Sequence, residues 1–181
     1  MTHPMSMAGP ASAAPLVQAG LLWIGAGCRL HPTAVFLPAD LSGTVRPIVL
    51  GERVVVGAYA VLHGGLSVGA YGYIGHRAVL GEPEYSYAAR DHHPGTGADT
   101  LLGEGVIIRA GAIVYAGTMI GDDATIGHHT VVCAGASVGA GSVVAANLTV
   151  ERGAFIGAAV CWPASHCGCG ALNPPCTVVV A

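Results

Sequence analysis

Histidine is the main chemical resource of this chain. Nine histidines occur in 181 residues, beside ten acidic groups and seven arginines, with no lysine anywhere. An imidazole is the natural proton acceptor near neutral pH, so proton transfer is the chemistry to look for. His92 and His93 stand together before Pro94, in a polar and aromatic stretch that also holds Tyr85, Tyr87, Asp91 and Asp99. His128 and His129 form a second pair, and His76 stands by itself. Without lysine, Schiff-base catalysis is excluded. Six cysteines are present, and four of them, Cys161, Cys167, Cys169 and Cys176, crowd the C-terminal end. Their C-x5-C-x-C-x6-C spacing fits no zinc ribbon, and the plain reading is free thiols in a reducing cytosol.

The elements that must position these groups are legible in a period of six. Every sixth residue is aliphatic at Leu50, Val56, Leu62, Val68, Ile74 and Leu80. The phase resumes at Leu102, Ile108, Val114, Ile120, Ile126, Val132, Val138, Val144, Val150 and Ile156. Ten of these sixteen are followed by glycine. An amphipathic helix, with its period of 3.6, does not generate such a pattern; a parallel β-helix of hexapeptide repeats does. Each hexad supplies a short strand and a corner, and three hexads close one triangular coil. The aliphatic residue points inward, and the glycine after it is expected to turn the corner with backbone angles that a side chain would penalise. Stability comes from stacking many coils, since one hexad buries nothing.

The period also marks where the repeat is interrupted. Weak repeats begin at Ile24, Leu30 and Phe36. Leu50 lies fourteen residues after Phe36 where two hexads would take twelve, which predicts two extra residues bulging out near Asp40 to Arg46. From Leu80 to Leu102 the chain spends twenty-two residues where one hexad needs six. The sixteen extra residues must leave the helix as a protruding loop over about 82–101, carrying His92 and His93, and long loops on rigid scaffolds are usual places for function. The expected organisation is a flexible tail over 1–20, a β-helix domain over 21–160, and an irregular segment over 161–181 that caps the open end against edge pairing. Trp162 in that segment could instead stack on an adenine ring.

Composition sets further bounds. The chain is 52% hydrophobic and only 9% charged, with a formal net charge of −3. No apolar run approaches the ~18 residues of a spanning helix, so no membrane span is expected. There is no basic stripe for nucleic acid. Large uncharged flanks usually become subunit interfaces. The N-terminus lacks the charged start of a signal peptide, and a cytoplasmic protein is expected.

The hexads resemble those of the left-handed hexapeptide-repeat family, most of whose members are acyltransferases. The resemblance implies an all-β, left-handed parallel β-helix; the general rule for parallel crossovers gives the opposite hand. The run LLGEGVIIRAGAIVYAGTMIGDDATIGHHTVV, with its Ile120-Gly121-Asp122-Asp123 step, is similar to the galactoside, maltose and xenobiotic acetyltransferases. There a histidine, often with proline after it, precedes the run of coils. Carried over, His93 would be the general base, with His92 as its neighbouring candidate and Asp91 or Asp99 to orient the ring. The middle coils, with Ile108-Arg109, Val114-Tyr115 and Gly127-His128, resemble a broader group acting on amino sugars and biosynthetic intermediates.

The resemblance implies a CoA-dependent acyltransferase that moves acetyl from acetyl-CoA to a small-molecule hydroxyl or amine, without a metal. It would be a homotrimer with sites in the clefts between β-helices. Residues two after the core aliphatic form a column, Ala58, His76, Ala110, His128 and Ala146. In the family, small residues of this column line the pantetheine track, so Ala110, His128 and Ala146 are the cofactor-side candidates. His128 could also be catalytic from a neighbouring subunit. Arg109 and Arg152 could meet CoA phosphates as planar donors, and Tyr115, Tyr85 and Tyr87 could shape an acceptor pocket. A rival comes from the γ-carbonic anhydrases, which share the fold and bind zinc with three histidines across an interface. Here His76, His128 and Cys133 would stand in their place, a ligand set acceptable for zinc. A third reading is a non-catalytic β-helix that binds a partner.

Overall fold

The computed structural model describes residues 13–40, 42–84 and 97–162. Three parallel sheets form the three faces of a prism. The first face stacks Leu22–Ile24, Ile48–Leu50, Leu66–Val68, Thr100–Leu102, Met119–Ile120, Ser137–Val138 and Phe155–Ile156. The second stacks Arg29–Leu30, Val55–Val56, Tyr73–Ile74, Ile107–Ile108, Thr125–Ile126, Val143–Val144 and Cys161–Trp162. The third stacks Val35–Leu37, Val61–His63, Val79–Glu82, Ile113–Tyr115, Val131–Val132 and Thr149–Val150. Stacking keeps chain order, so each coil touches the coil before it and the coil after it.

All sixteen aliphatic residues of the hexad phase are buried, from Leu50 to Ile156. They stack in register, for example Ile74 on Ile108 on Ile126 on Val144. A second inward position lies four residues on, where the corner narrows and only compact side chains fit: Ala112, Ala124 and Ala136 are buried there. Four buried hydroxyls share this position; three are bonded, as burial requires, while Thr100 Oγ1 has no hydrogen-bond partner among the described residues. Thr118 donates to the Cys133 carbonyl at 3.3 Å, Thr130 to Ala145 at 2.6 Å and Ser142 to Gly157 at 2.7 Å. Each bond reaches fifteen residues ahead and ties one coil to the next.

The corners correct the expected role of glycine. Except at Gly81, which follows core Leu80 directly, the left-handed backbone of the hexads falls three residues after the core residue, and non-glycine residues occupy it at Arg53, Tyr71, Asp123 and His129. The glycine directly after the core residue is needed for close approach. A Cβ on Gly75 would lie 2.6 Å from the Ala110 nitrogen of the next coil, and one on Gly121 would lie 2.6 Å from that of Ala140.

Three boundaries also differ from expectation. Within the tail expected over 1–20, Ala13–Gln18 is a helix, with Ala13 buried and Leu16 packed on the core. The first insertion is larger than two residues, because the chain passes directly from Phe36 on the third face to Leu50 on the first. That is one hexad step, so eight of the fourteen residues are extra. They form a hairpin with an Ala39–Val45 antiparallel bridge. The repeat also does not end at Val160, since Cys161–Trp162 continues the second face with Trp162 paired to Val144.

Candidate functional site

The three corners of the prism are unlike one another. Between the first and second faces the residue after the core is glycine throughout: Gly51, Gly69, Gly103, Gly121, Gly139 and Gly157. Between the second and third faces Gly57, Gly75 and Gly127 share the position with His31, Arg109 and Ala145. Between the third and first faces the same position holds Leu37, His63, Tyr115, Cys133 and Glu151, with Gly81 where the long insertion begins. Both insertions leave from this last corner, and the side chains there replace the close backbone contact.

The second-to-third corner carries the expected column. Ala110 is half-buried, and His76, His128 and Ala146 are exposed. The His76 ring is engaged: its Nδ1 accepts the Ala58 N–H of the preceding coil at 2.8 Å. His76 therefore caps an outward-facing amide. Asp122 performs the same service at another corner, accepting the Glu104 N–H at 2.9 Å. Cys133 lies at a different corner from His76 and His128 and is buried. Burial pushes its thiol pKa up, helped by the Glu84 and Glu151 charges and opposed by Arg152, which disfavours the thiolate a metal would need. Among the described residues no group of three or more His, Cys, Asp or Glu is placed to hold a metal ion.

The third-to-first corner gathers groups that the sequence pattern does not single out. Glu84 is the main one. Its side chain is only 4% exposed, its Oε1 pairs with the Arg152 guanidinium at 3.1 Å, and its Oε2 accepts the Ala134 N–H at 2.7 Å. Arg152, expected at a CoA phosphate, is thus committed to a carboxylate. His63 is half-buried in a hollow it shares with Asp40, Arg46, Pro83 and Gly97. Burial pushes its pKa down, while the Glu82 charge pulls the other way. Asp40 is held below the usual carboxylate range, first by the Ser42 hydroxyl at 2.6 Å, with amides of Ser42 and Thr44 adding to it. Asp99, a candidate to orient a catalytic ring, pairs with Arg46 at 3.4 Å.

His92 and His93 lie outside the described residues, as do Asp91, Tyr85 and Tyr87. Tyr115 stands at the side-chain corner, opposite Glu82 in the ladder. Arg109 is exposed at the mixed corner. Trp162 packs against the last core residues and lines a hollow with Val150, Phe155 and Ile156, so it fills the end of the core instead of standing out as a stacking platform. Cys28 and Cys133 are free thiols, as expected, but Cys161 is disulfide-bonded. A signal for this corner does exist in the sequence: the hexads of the third face lack glycine after the core residue in every coil but the third, where Gly81 begins the long insertion.

Residues 99–134 match the family described as bacterial transferase hexapeptide (six repeats), and residues 117–152 match the hexapeptide repeat of succinyl-transferase. The fold is similar to that of UDP-N-acetylglucosamine O-acyltransferase (LpxA) from Moraxella catarrhalis RH4. The TM-score is 0.54 at 13% identity, over 75% of this chain and 60% of that one. The chain therefore spans less than two thirds of that protein. It is also similar to AntD, an N-acyltransferase from Bacillus cereus, in a complex with dTDP-4-amino-4,6-dideoxyglucose and coenzyme A. There the TM-score is 0.53 at 16% identity, over 83% of this chain and 87% of that one. At these identities the likeness is one of fold. No curated protein matches the sequence.

Proposed function

We propose, from the premise that this is a hexapeptide-repeat chain with the left-handed parallel β-helix fold, that it is a CoA-dependent acyltransferase. The observation that carries this reading is the unbroken run over residues 99–152 that matches two transferase repeat families. The donor is acetyl-CoA, and the acceptor is a hydroxyl or amine of a small molecule such as a sugar or amino sugar. The protein works as a cytoplasmic homotrimer, with its sites in the clefts between β-helices.

The second-to-third corner fits the CoA arm. Gly57, Gly75 and Gly127 hold its coils at close approach, and Ala110 and Ala146 are small residues in the coils on either side of His128. The reaction is direct transfer. The acceptor heteroatom attacks the thioester carbonyl, the C–S bond breaks, CoA leaves as the thiolate, and His93 takes the acceptor's proton, with His92 and His128 as the other candidates for that role. A backbone N–H stabilises the oxyanion, and holding both substrates together supplies much of the acceleration.

The test is thermal stability with and without excess acetyl-CoA, and then free-thiol release with candidate acceptors. An upward shift is expected, since a ligand that binds only the folded state stabilises it. His93→Ala is expected to lose at least about two orders of magnitude in turnover, the scale of a missing general base, while keeping the acetyl-CoA shift. Near-wild-type turnover in that variant moves the role to His92 or His128. No shift and no thiol release would reject the acyltransferase reading.

A further inference from the structure

The long insertion is fastened at its two ends to widely separated coils. On the outgoing side, Glu82 ends the strand of the third coil, and its carbonyl accepts the Ala116 N–H of the fourth at 2.9 Å. Two residues later the Glu84 carboxylate has reached Ala134, at the corner of the fifth coil, and Arg152, at the corner of the sixth. On the returning side, Asp99 pairs with Arg46 and the Gly97 N–H approaches Asp40 Oδ2 at 3.5 Å, both on the hairpin between the first and second coils. The outgoing limb is thus held to later coils and the returning limb to earlier ones.

A carboxylate this deeply buried is costly unless it is paired and hydrogen-bonded, and Glu84 is both. Neither partner belongs to its own insertion. Its two oxygens are spent on groups fifty and sixty-eight positions away in the chain, in the coils that carry the transferase repeat. An acidic side chain needed only for solubility would be expected on the surface. We propose that Glu84 is a positioning residue for the reaction: its buried carboxylate ties the outgoing limb, residues 82–84, to the fifth and sixth coils, which carry the transferase repeat. The inference rests on the acyltransferase reading for its kinetic consequence, but not for the anchoring itself.

The experiment compares Glu84→Ala, Glu84→Gln and Arg152→Ala with the wild-type chain by three measurements: the acetyl-CoA thermal shift, steady-state turnover, and trypsin cleavage after Arg90. Arg90 is the sole tryptic site between Arg77 and Arg109. Cleavage there in Glu84→Ala is expected to speed up several-fold while cleavage at the other arginines keeps its rate. Turnover is expected to fall at least about tenfold, because a misplacement of ~1 Å can cost about a hundredfold, with the KM for acetyl-CoA little changed. Glu84→Gln keeps an acceptor for Ala134 and Arg152→Ala keeps the carboxylate, so both are expected to fall between wild type and Glu84→Ala. They also carry the test if the alanine variant fails to fold. Unchanged cleavage after Arg90 overturns the anchoring. Faster cleavage with unchanged turnover overturns the positioning role and leaves a structural one. Absence of acyl transfer in the wild-type chain rejects the functional reading instead, and the cleavage result still decides the anchoring.

Discussion

Two corners of the same prism solve the same problem in opposite ways. Between the first and second faces, glycine after every core residue lets one coil's backbone lie against the next, and a single methyl at Gly121 would meet the Ala140 nitrogen at 2.6 Å. Between the third and first faces, His63, Tyr115, Cys133 and Glu151 stand where glycine would, and both insertions depart. The glycine corner is a tight seam with little room for side-chain chemistry. The other corner gives up that close contact and brings a buried carboxylate, a half-buried imidazole and two ion pairs onto one edge. Scaffold and candidate chemistry are thus divided by corner, not by coil.

Mirrored substitutions test this division. The largest effect is expected at the seam: Gly121→Ala should cost about 1–3 kcal/mol, the scale of overpacking. The matched change at the other corner, Cys133→Ala, should stay below about 1.5 kcal/mol. Urea melts of both variants check the pair, and equal losses would break the comparison. A smaller effect is expected at the mixed corner, where His76→Ala removes the acceptor for the Ala58 N–H. An exposed hydrogen bond of this kind is worth about 0.5–1.5 kcal/mol, and His76→Asn should restore part of it in the same melts.

The smallest effect is a pH dependence. Burial depresses the folded-state pKa of His63 below its ordinary value of 6.5. The unfolded chain therefore takes up the proton first as pH falls, and stability from the neutral ring, full above pH 6.5, is lost as pH drops through the folded pKa. His63→Gln should show a shallower fall in Tm than wild type between about pH 7.5 and about pH 5. Parallel curves would remove His63 from the groups that distinguish the two corners.

How much of the molecule is legible in its sequence depends on the range of the interactions involved. The hexad is a local rule, and each of its sixteen aliphatic positions is core. The corner column of Ala110, His128 and Ala146 can be counted from the same rule. Features that the sequence hides depend on distant partners. Glycine's role reads locally as a matter of its own backbone angle, when the constraint is the neighbouring coil eighteen residues away. Nothing in the pattern marks Glu84, because its partners, Ala134 and Arg152, are near only after folding. The first insertion is undercounted from spacing because a period of six fixes the phase only to within whole hexads, and one hexad assumed between Phe36 and Leu50 does not exist as a coil face. Trp162 breaks the aliphatic pattern without ending the repeat, since its backbone still pairs with Val144.

The register has a further consequence for heredity. Ile108, Ile126 and Val144 sit directly above one another at intervals of eighteen residues. Duplication or loss of eighteen codons within the uninterrupted repeat would lengthen or shorten the rod by ~4.8 Å, one strand spacing, and return every downstream residue to its own column. A change of six or twelve would keep the aliphatic core but rotate the corners, and a change out of step with six would bring polar and glycine positions into the core. The gene of such a protein can therefore grow or shrink in quanta, keeping its working edge aligned while its length varies.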